Sequence, residues 1–448
     1  MTNNTNILNL LEELLAKVKV KGADAADAVH INSQSLAVAQ RLGSPEKLER
    51  SESSDIGLRA FVGSRQAIVS SSDSSPKALE ELVERVVSMA KSVPEDPHCG
   101  LAEVAQIATK TIDIDSCDPG EPTTETLVDW ANRAEEAARA IPGITNSEGA
   151  EAGWGQATVS VVATNGFAKS YSGSHYSISA SVIAGEGAYM ERDYDYTGAV
   201  YASDLLSPEE VGRNAGEKTI RRLNPQKAKT SQVPVIYDPR VSRGIIGHLA
   251  NAINGPTIAR NTSFLKEKMN EQIFAPNINI FDDPHRRRGL RSKPFDGEGV
   301  ANHKRKIIDN GVLTTWILDL RSARQLGLKT TGHASRGTGS PPSPSPTNLY
   351  LEPSKISPID LMGDIKNGLY VTELIGMGIN GLTGDYSRGA AGYWIENGEL
   401  AYPVSEITIA GNLKDMFQNL TPANDLEFRY GIDAPTLRID GMTLAGKS

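Results

Sequence analysis

Pairs of turn-forming residues recur through the second half of the chain and limit the folds that it can adopt. Asparagine or aspartate followed by glycine stands at 310–311, 397–398 and 440–441, each time between runs of strand-like residues. These dipeptides suit the type I′ turn, because both of its central residues need positive φ. Repeated tight hairpins are typical of antiparallel sheets and barrels. The sequence therefore predicts that residues 229–448 form a C-terminal β-rich domain with an antiparallel sheet or barrel.

The first ninety residues alternate helix and strand signals. An amphipathic helix over 6–20 is followed by strand-like runs with a turn at Gly63–Ser64, and a second amphipathic helix begins at Pro76. This order predicts an N-terminal α/β domain over 1–93. A chain of 448 residues is too long for one ordinary core, which agrees with several domains.

A second α/β unit follows a segment that shows no periodicity. Residues 94–121 are rich in proline and aspartate and predict a linker. A helix over 122–140 comes next, then long strands with a hairpin at Asn165–Gly166, then a helix that starts with the capping box Ser207–Glu210. These signals predict a middle domain over 122–228. The fold class is therefore α+β, with N-terminal and middle α/β layers followed by the β-rich domain.

Composition and charge exclude several classes of function. The net charge is −9, which argues against nucleic acid as a partner, because phosphates are bound through excess positive charge. No apolar run has the length of a membrane span and the first residues do not resemble a signal peptide. We therefore expect a cytoplasmic protein without a membrane contact. The two cysteines, Cys99 and Cys117, are too few for a disulfide framework or a thiolate metal cage.

The segment 237–254 predicts a helix that carries a histidine on its apolar face. Asp238 and Pro239 form a helix start, and apolar residues then recur at three- and four-residue spacing. His248 falls on that face, where a charged imidazolium is costly. From the residues alone, His248 is either a catalytic histidine or the remainder of a site that no longer works.

A glycine-rich segment over 384–413 is a second candidate site. Its glycines predict the close approach of another backbone, either a neighbouring strand or an extended ligand. We expect a loop at its start to contact a peptide substrate, and the alternative is a structural loop held by an Asp–Arg pair. The substrate-binding candidates are Gly384, Asp385, Tyr386, Ser387, Arg388, Gly389 and, beside the loop 337–347, His333.

Several long stretches of the chain resemble the TldD/PmbA peptidase family, and in particular its PmbA (TldE) branch. The most specific are "PFDGEGV" at 294–300, "ILDLRSARQLGLKTTGHA" at 317–334, "YVTELIGMGIN" at 370–380 and "TGDYSRGAAGYWIENGELAYPVSEITIAGNLKDM" at 383–416. The resemblance runs over nearly the whole chain. It implies a heterodimeric zinc peptidase in which a TldD-type subunit and a PmbA-type subunit act on unfolded or small peptides, with microcin or antitoxin processing among its roles.

The resemblance also bears on the histidine of the predicted helix. It implies that a TldD-type subunit carries an HExxxH motif and a later cysteine, so that two imidazoles and a thiolate hold zinc while the glutamate activates water. The corresponding positions here are Gly247, His248 and Ala252, and no cysteine follows Cys117. The resemblance therefore predicts no catalytic residue, metal ligand or cofactor in this chain, and it places zinc in a TldD-type partner.

The resulting prediction is the metal-free subunit of a TldD/TldE-type heterodimeric zinc metallopeptidase, with a homodimer as the form of the isolated chain. Two alternatives stay open. One is a peptidase that is active as a homodimer by chemistry other than zinc, using His333 and Asp385. The other is a protein-binding modulator linked to DNA gyrase, without a peptidase role.

Overall fold

A computed structural model describes residues 2–446 of the chain. Within this range the α-helices are α1 (Thr2–Val20), α2 (Pro76–Ser92), α3 (Thr124–Arg139), α4 (Pro208–Arg221), α5 (Pro239–Ala252), α6 (Gly255–Ala259), α7 (Leu320–Gln325), α8 (Pro358–Met362) and α9 (Leu413–Gln418). The strands of the first half are β1 (Ala25–Arg41), β2 (Ser44–Val62), β3 (Arg65–Ser71), β4 (Ile144–Ala163), β5 (Ala168–Ala184) and β6 (Glu191–Ala199). The strands of the second half are β7 (Ser231–Tyr237), β8 (Ile280–Asp282), β9 (Arg305–Asp309), β10 (Val312–Leu313), β11 (Ala334–Ser335), β12 (Ser343–Pro344), β13 (Leu349–Leu351), β14 (Asn367–Ile379), β15 (Asp385–Glu396), β16 (Glu399–Asn412), β17 (Leu420–Pro422), β18 (Ile432–Asp433) and β19 (Leu437–Ala445).

One antiparallel sheet takes up the strands of the first half, in the order β3-β2-β1-β4-β5-β6. Its central strand β1 pairs with β2 on one side and with β4 on the other. The sheet therefore joins strands from the ranges that the sequence assigns to the N-terminal and middle domains. The division of these residues at 93 and 121 stays a prediction from the sequence.

The two faces of this sheet have different coverings. Side chains of a strand alternate between its faces, and the even-numbered Ala28 and Val38 of β1 lie in the cores under α1 and α2 and under α3 and α4, respectively. The odd-numbered Val29 and Val161 face the other way and pack near Phe295 of the second half. All four helices thus lie on one face, and the C-terminal half of the chain packs on the other.

The second half contains a closed barrel, which confirms the predicted fold class. The strands follow the order β16-β15-β14-β7-β19, and β16 pairs with β19 to close the ring. β17 lies beside β19, and β10-β9-β8-β13-β18 form a separate sheet. Apolar residues of the barrel and of α5, among them Val235, Leu249, Leu369 and Ile409, share one core.

Two of the three predicted type I′ turns of the second half are confirmed, and the third is wrong. Asn310 and Asn397 have φ of 51° and each precedes a glycine of positive φ in a hairpin. Gly441 also has positive φ, 80°, but it lies inside β19. The residues on both sides of it pair with the same strand, β7, so the chain continues in one direction and Asp440–Gly441 forms a bulge.

The segment 94–121 is irregular apart from a 3-10 turn at Val104–Gln106. It lies between the two halves, because the N–H of Ala108 donates to the carbonyl of Gly299 (2.9 Å) and the N–H of Ser174 donates to the carbonyl of Ser116 (3.0 Å). None of the helices within residues 2–446 is both long and apolar enough to span a membrane.

A buried group of ionisable side chains also joins the two halves. The Asp27 carboxylate of β1 accepts hydrogen bonds from Arg59 Nε of β2 (3.0 Å) and from Arg336 Nη1 of the second half (2.7 Å). The side chains of all three residues are nearly inaccessible to solvent. Glu298 also contacts Arg59, with its Oε1 3.7 Å from Arg59 Nη1. We call these four residues the junction cluster.

Candidate functional site

Helix α5 leaves the barrel directly after β7, and its sequence explains where it starts. The Asp238 carboxylate accepts a hydrogen bond from the N–H of Arg240 (3.0 Å), and Pro239 occupies the first turn, where a missing N–H has no cost. Ile245 and Leu249 lie in the barrel core. The predicted helix over 239–253 is therefore confirmed.

The face of α5 opposite the core lines a cavity of about 480 Å³, which lies between the sheet of the first half and the barrel. Cavities of this size bind small ligands or short segments of a peptide. The lining residues come from β6 (Arg192, Asp193, Tyr194), the end of α4 (Arg222), α5 (Arg240, Val241, Arg243, Gly244, Gly247), β14 (Thr372, Glu373, Leu374), β15 (Arg388) and β18 (Ile432).

Ion pairs across this cavity tie its two walls together. Arg240 Nη1 of α5 donates to Asp193 Oδ1 of β6 (2.7 Å), and Arg222 Nη2 donates to Glu373 Oε2 of β14 (2.6 Å). Burial by itself would raise the pKa of Asp193, but the hydrogen bonds and charge of Arg240 hold that pKa below its ordinary value. Asp193 is therefore ionised at neutral pH and fixes the position of α5 against the sheet.

Two arginines of the cavity have no such partner. The Arg243 guanidinium lies 4.3 Å from the centre of the Tyr430 ring, and its Nε donates to the carbonyl of Arg240 (3.3 Å). Arg388 Nε donates to the carbonyl of Ile375 (3.3 Å). Neither guanidinium forms an ion pair with a carboxylate of residues 2–446. Both guanidinium groups therefore bring positive charge to the cavity.

The floor of the cavity is bare helix backbone. A methyl group on Gly244 or Gly247 would meet no atom within 4 Å, so close packing does not require glycine at either position. Glycine in a helix interior costs about 1 kcal/mol relative to alanine. Two such residues on the exposed side of α5 thus keep space open at the expense of helix stability.

His248 is half-buried beside this floor, with its ring edge-on to Tyr386 at 6.0 Å between ring centres. Burial, and to a lesser extent the positive charge of Arg388, lower the pKa of His248 to about 4. The imidazole is therefore neutral at pH 7. This environment agrees with the expectation from the sequence that a charged imidazolium is costly on the apolar face of the helix.

The three positions that correspond to the metal motif do not make a zinc site. Gly247 offers no ligand, Ala252 is buried, and His248 supplies one imidazole. Both cysteines belong to the segment 94–121, outside the C-terminal half that carries α5. A stable protein zinc site needs at least three protein ligands, and no group of three His, Cys, Asp or Glu side chains in the described range is arranged to hold a metal ion. The residues at this site therefore do not fit zinc.

The segment expected to be a loop at 384–389 is mostly strand, and the Asp–Arg pair of the alternative interpretation does not form within it. Asp385 and Arg388 are three positions apart on β15, so their side chains point to opposite faces. Asp385 accepts hydrogen bonds from Thr383 Oγ1 (2.6 Å) and Asn412 Nδ2 (3.0 Å).

The predicted substrate-binding residues of this segment therefore divide between the two faces of β15. Tyr386 and Arg388 face α5, whereas Asp385 and Ser387 are exposed on the other side. Gly384 has φ of 87° in the turn before the strand, and Gly389 lies opposite Ile375. Of these candidates, Arg388 alone lines the cavity.

His333 is buried away from these residues. Its Nε2 lies 3.2 Å from Asp282 Oδ1 and its Nδ1 lies 2.8 Å from Thr331 Oγ1. Neither His333 nor Asp385 lines the cavity, so the structure does not assemble the pair there. The role of His333 in substrate binding stays a prediction.

Most of the charged residues of the cavity were not predicted from the sequence. Arg240, Arg243, Gly244 and Gly247 follow helical spacing and form a stripe beside the apolar stripe of α5. That spacing was a usable signal. Asp193 had no such signal in the sequence, because it contacts α5 from β6, more than forty residues earlier in the chain.

Family models match the chain in three consecutive parts. The PmbA/TldA metallopeptidase domain 1 matches residues 26–90, the central domain matches 117–223 and the C-terminal domain matches 230–446. Together the three ranges make up more than half of the chain.

Curated relatives match over nearly the full length. The chain is 38% identical to metalloprotease PmbA of Escherichia coli O157:H7 over 427 residues, which cover 95% of this chain and 93% of that protein. It is 35% identical over 454 residues to the metalloprotease PmbA homolog of Haemophilus influenzae, with 99% of both chains covered.

Solved structures share the fold over the same extent. A Bacteroides thetaiotaomicron protein proposed to modulate DNA gyrase superposes with a TM-score of 0.90 at 25% identity and covers 98% of both chains. TldE from Thermococcus kodakarensis superposes with a TM-score of 0.87, covering 97% of this chain and 99% of that one. The identity to TldE is 21%, so this likeness concerns the fold alone.

Proposed function

Because the chain belongs to the PmbA/TldA metallopeptidase family, we propose that it is the metal-free subunit of a zinc peptidase whose second subunit is of the TldD type. The partner would hold the zinc ion, which polarises the scissile carbonyl and activates water. This chain would bind and shield the peptide. Unfolded or small peptides are the proposed substrates.

The observation that carries this proposal is the face that α5 turns toward the cavity. Gly247 stands where the family resemblance expects a metal ligand, and Arg243 and Gly244 lie beside it. The cavity is thus open beside α5, and the side chains around it do not suit zinc. This combination is expected of a subunit that holds substrate and leaves metal chemistry to its partner.

The exposed edge of the sheet of the first half supports a role in holding an extended peptide. β6 is the last strand of that sheet, and within the described residues no strand pairs with its outer edge. Arg192 and Tyr194 of the same strand line the cavity. Extended peptides bind such edges through backbone hydrogen bonds. We therefore place the peptide along β6, with part of it in the cavity.

The hairpin formed by β14 and β15 supports a contact with the partner. Ile375, Met377 and Leu382 near its tip are 61%, 91% and 60% exposed. Clustered apolar side chains on a soluble surface mark sites of protein association. We place part of the subunit interface on this hairpin.

The proposal is tested by measuring peptide cleavage by the purified chain alone and by its complex with the TldD-type subunit from the same cells. We expect no turnover by the chain alone and turnover by the complex that EDTA abolishes. Met377→Asp should reduce recovery of the partner by about tenfold or more, because it would bury a charge at the interface.

Ile359→Asp is the matched control for that variant. Ile359 lies on α8 and is 75% exposed, so the same change adds a charge to an exposed apolar position outside the hairpin. Partner recovery should stay unchanged. Equal losses in both variants would remove the hairpin from the interface, and EDTA-sensitive cleavage by the chain alone would contradict the division of roles.

A second function, binding to DNA gyrase, is favoured by the Bacteroides structure at 25% identity. The net charge of −9 argues that such an effect would act through a protein contact rather than through DNA. Affinity purification of the tagged chain from its own cells separates the two functions. Recovery of gyrase without a TldD-type subunit would favour this second function over the first.

A further inference from the structure

The cavity beside α5 contains more positive charge than its acidic residues neutralise. Three of its five arginines have carboxylate partners: Arg240 pairs with Asp193 (2.7 Å), Arg222 with Glu373 (2.6 Å) and Arg192 with Glu148 (3.2 Å). These pairs hold the walls in place. The remaining two, Arg243 and Arg388, are unpaired within residues 2–446.

Asp433, an acid whose pKa the charge of Arg243 lowers, already has other hydrogen-bond partners. The charge of Arg243 acts on Asp433, whose carboxylate accepts hydrogen bonds from the backbone N–H groups of residues 429–431. Burial raises the pKa of Asp433 to about 6, which weakens it further as a counter-charge below neutral pH. Arg243 is instead oriented by stacking on Tyr430, at 4.3 Å.

Space for a ligand lies directly against these two arginines. Gly244 and Gly247 form the floor, and a Cβ on either would meet no atom within 4 Å. The cavity volume of about 480 Å³ holds the end of a peptide, and a larger side chain at 247 would fill part of it. The two glycines and two guanidinium groups thus form an open, cationic pocket.

We propose that this pocket binds a carboxylate group, with Arg243 and Arg388 as its ligands. A guanidinium matches a carboxylate with two parallel hydrogen bonds, and two arginines hold one negative charge between them. The assignment of that carboxylate to a peptide rests on the proposed function, because the pocket adjoins the β6 edge. The carboxylate is the C-terminal group of the peptide or the side chain of an aspartate or glutamate.

Calorimetric titration of the isolated, full-length chain tests the proposal without any cleavage assay. The probes are acetyl-trialanine with a free C terminus, the same peptide as its C-terminal amide, an amidated acetyl-Ala-Glu-Ala peptide, and inorganic phosphate. We expect the free acid to bind at least about tenfold more tightly than the amide, since a charged hydrogen-bond partner is lost. Binding of the amidated glutamate peptide would assign the side-chain source, and its failure to bind would assign the C-terminal source.

Variants identify the pocket as the place of binding. Arg388→Gln and Arg243→Gln should each weaken the binding by about tenfold or more, measured with whichever carboxylate peptide binds the unmutated chain. Gly247→Leu should abolish binding while the thermal midpoint stays equal or rises, because leucine favours helix and meets open space. Arg65→Gln, an exposed arginine on β3 paired with Glu95, is the control that should bind normally.

The proposal would be overturned if neither the free acid nor the amidated glutamate peptide bound more tightly than the acetyl-trialanine amide. Unchanged binding in both pocket variants would also overturn it. Phosphate binding more tightly than either carboxylate peptide would also overturn it. Because no partner or metal is involved, a failure here leaves the proposed function standing. Conversely, a failure to cleave peptides in the complex leaves this binding result unaffected.

Discussion

Replacing Asp27 with alanine is expected to lower the free energy of unfolding by about 3–5 kcal/mol. The change removes the carboxylate of the junction cluster and leaves the guanidinium groups of Arg59 and Arg336 buried, with Glu298 as the remaining acid. Uncompensated buried charge is among the most destabilising changes that a single mutation produces. Because Arg336 belongs to the second half, the variant should also loosen the contact between the two halves. Urea unfolding at pH 7 measures the loss.

Glu84→Ala provides the control for that experiment. It removes an exposed ion pair with Lys21 (2.8 Å), and exposed pairs contribute little to stability. We expect a change within the error of the unfolding measurement. A small effect of Asp27→Ala, comparable to that of the control, would contradict the role given to the junction cluster.

The loss of stability caused by Asp27→Ala should become smaller as the pH falls into the acid range. Burial by itself would raise the pKa of Asp27, but the charges of Arg336 and Arg59 lower it below its ordinary value. A carboxyl with a lowered pKa in the folded state stabilises the fold fully above its unfolded pKa, near 4. That contribution disappears as the pH falls through the folded value. The difference between the two proteins should therefore shrink in strong acid.

Gly392→Ala is expected to destabilise the barrel by about 1–3 kcal/mol. A Cβ at this position of β15 would lie 1.9 Å from the carbonyl oxygen of Tyr370 on β14, and backbone cannot move aside as a flexible side chain can. The two strands must therefore separate. Because β14 and β15 both line the cavity, this separation would reach Arg388 and the proposed carboxylate pocket.

Gly389→Ala makes the same substitution on the same strand, at a position where the added methyl group has more space. Its Cβ would lie 3.3 Å from the Ile375 Cβ, a contact that a small shift relieves. Thermal and urea unfolding of both variants should show the larger loss for Gly392→Ala. Equal stability of the two variants would show that β14 and β15 are not as close as the structure has them.

These glycines also show which parts of the site the sequence could predict. From the sequence alone, either a strand or a ligand could approach the backbone of the segment 384–413. At Gly378 and Gly392 the neighbour is a strand, since a Cβ would come within about 2 Å of the carbonyl oxygens of Ser387 and Tyr370. Only the three-dimensional pairing of β14 with β15 could decide this.

Elements with local signals were predicted well, and features that depend on pairing were not. The start of α5 follows from Asp238 and Pro239, which act within one turn. The bulge at Asp440–Gly441 was predicted as a hairpin, because turn chemistry alone cannot tell that both flanks pair with β7. The exposed, charged residues at the start of β2 lack a strand signal and are held in the strand by pairing with β1.

The cavity was the part least accessible from sequence. Its charged residues come from β6, α5, β14 and β15, so no single segment contains the constellation. The sequence did identify Arg388 and Gly247, each for a different reason. The alternation of side chains along β15 then decided that Arg388 faces α5 while Asp385 does not.

The measurement that tests the central claim most directly is the zinc content of the isolated chain. The chain should be purified without its partner, dialysed against metal-free buffer and analysed by mass spectrometry for metals. We predict well under one zinc ion per chain, because α5 supplies one imidazole where at least three ligands are needed. The complex with a TldD-type subunit, treated in the same way, should retain about one zinc ion per pair of subunits. Stoichiometric zinc in the isolated chain would contradict the assignment of this protein as the metal-free subunit.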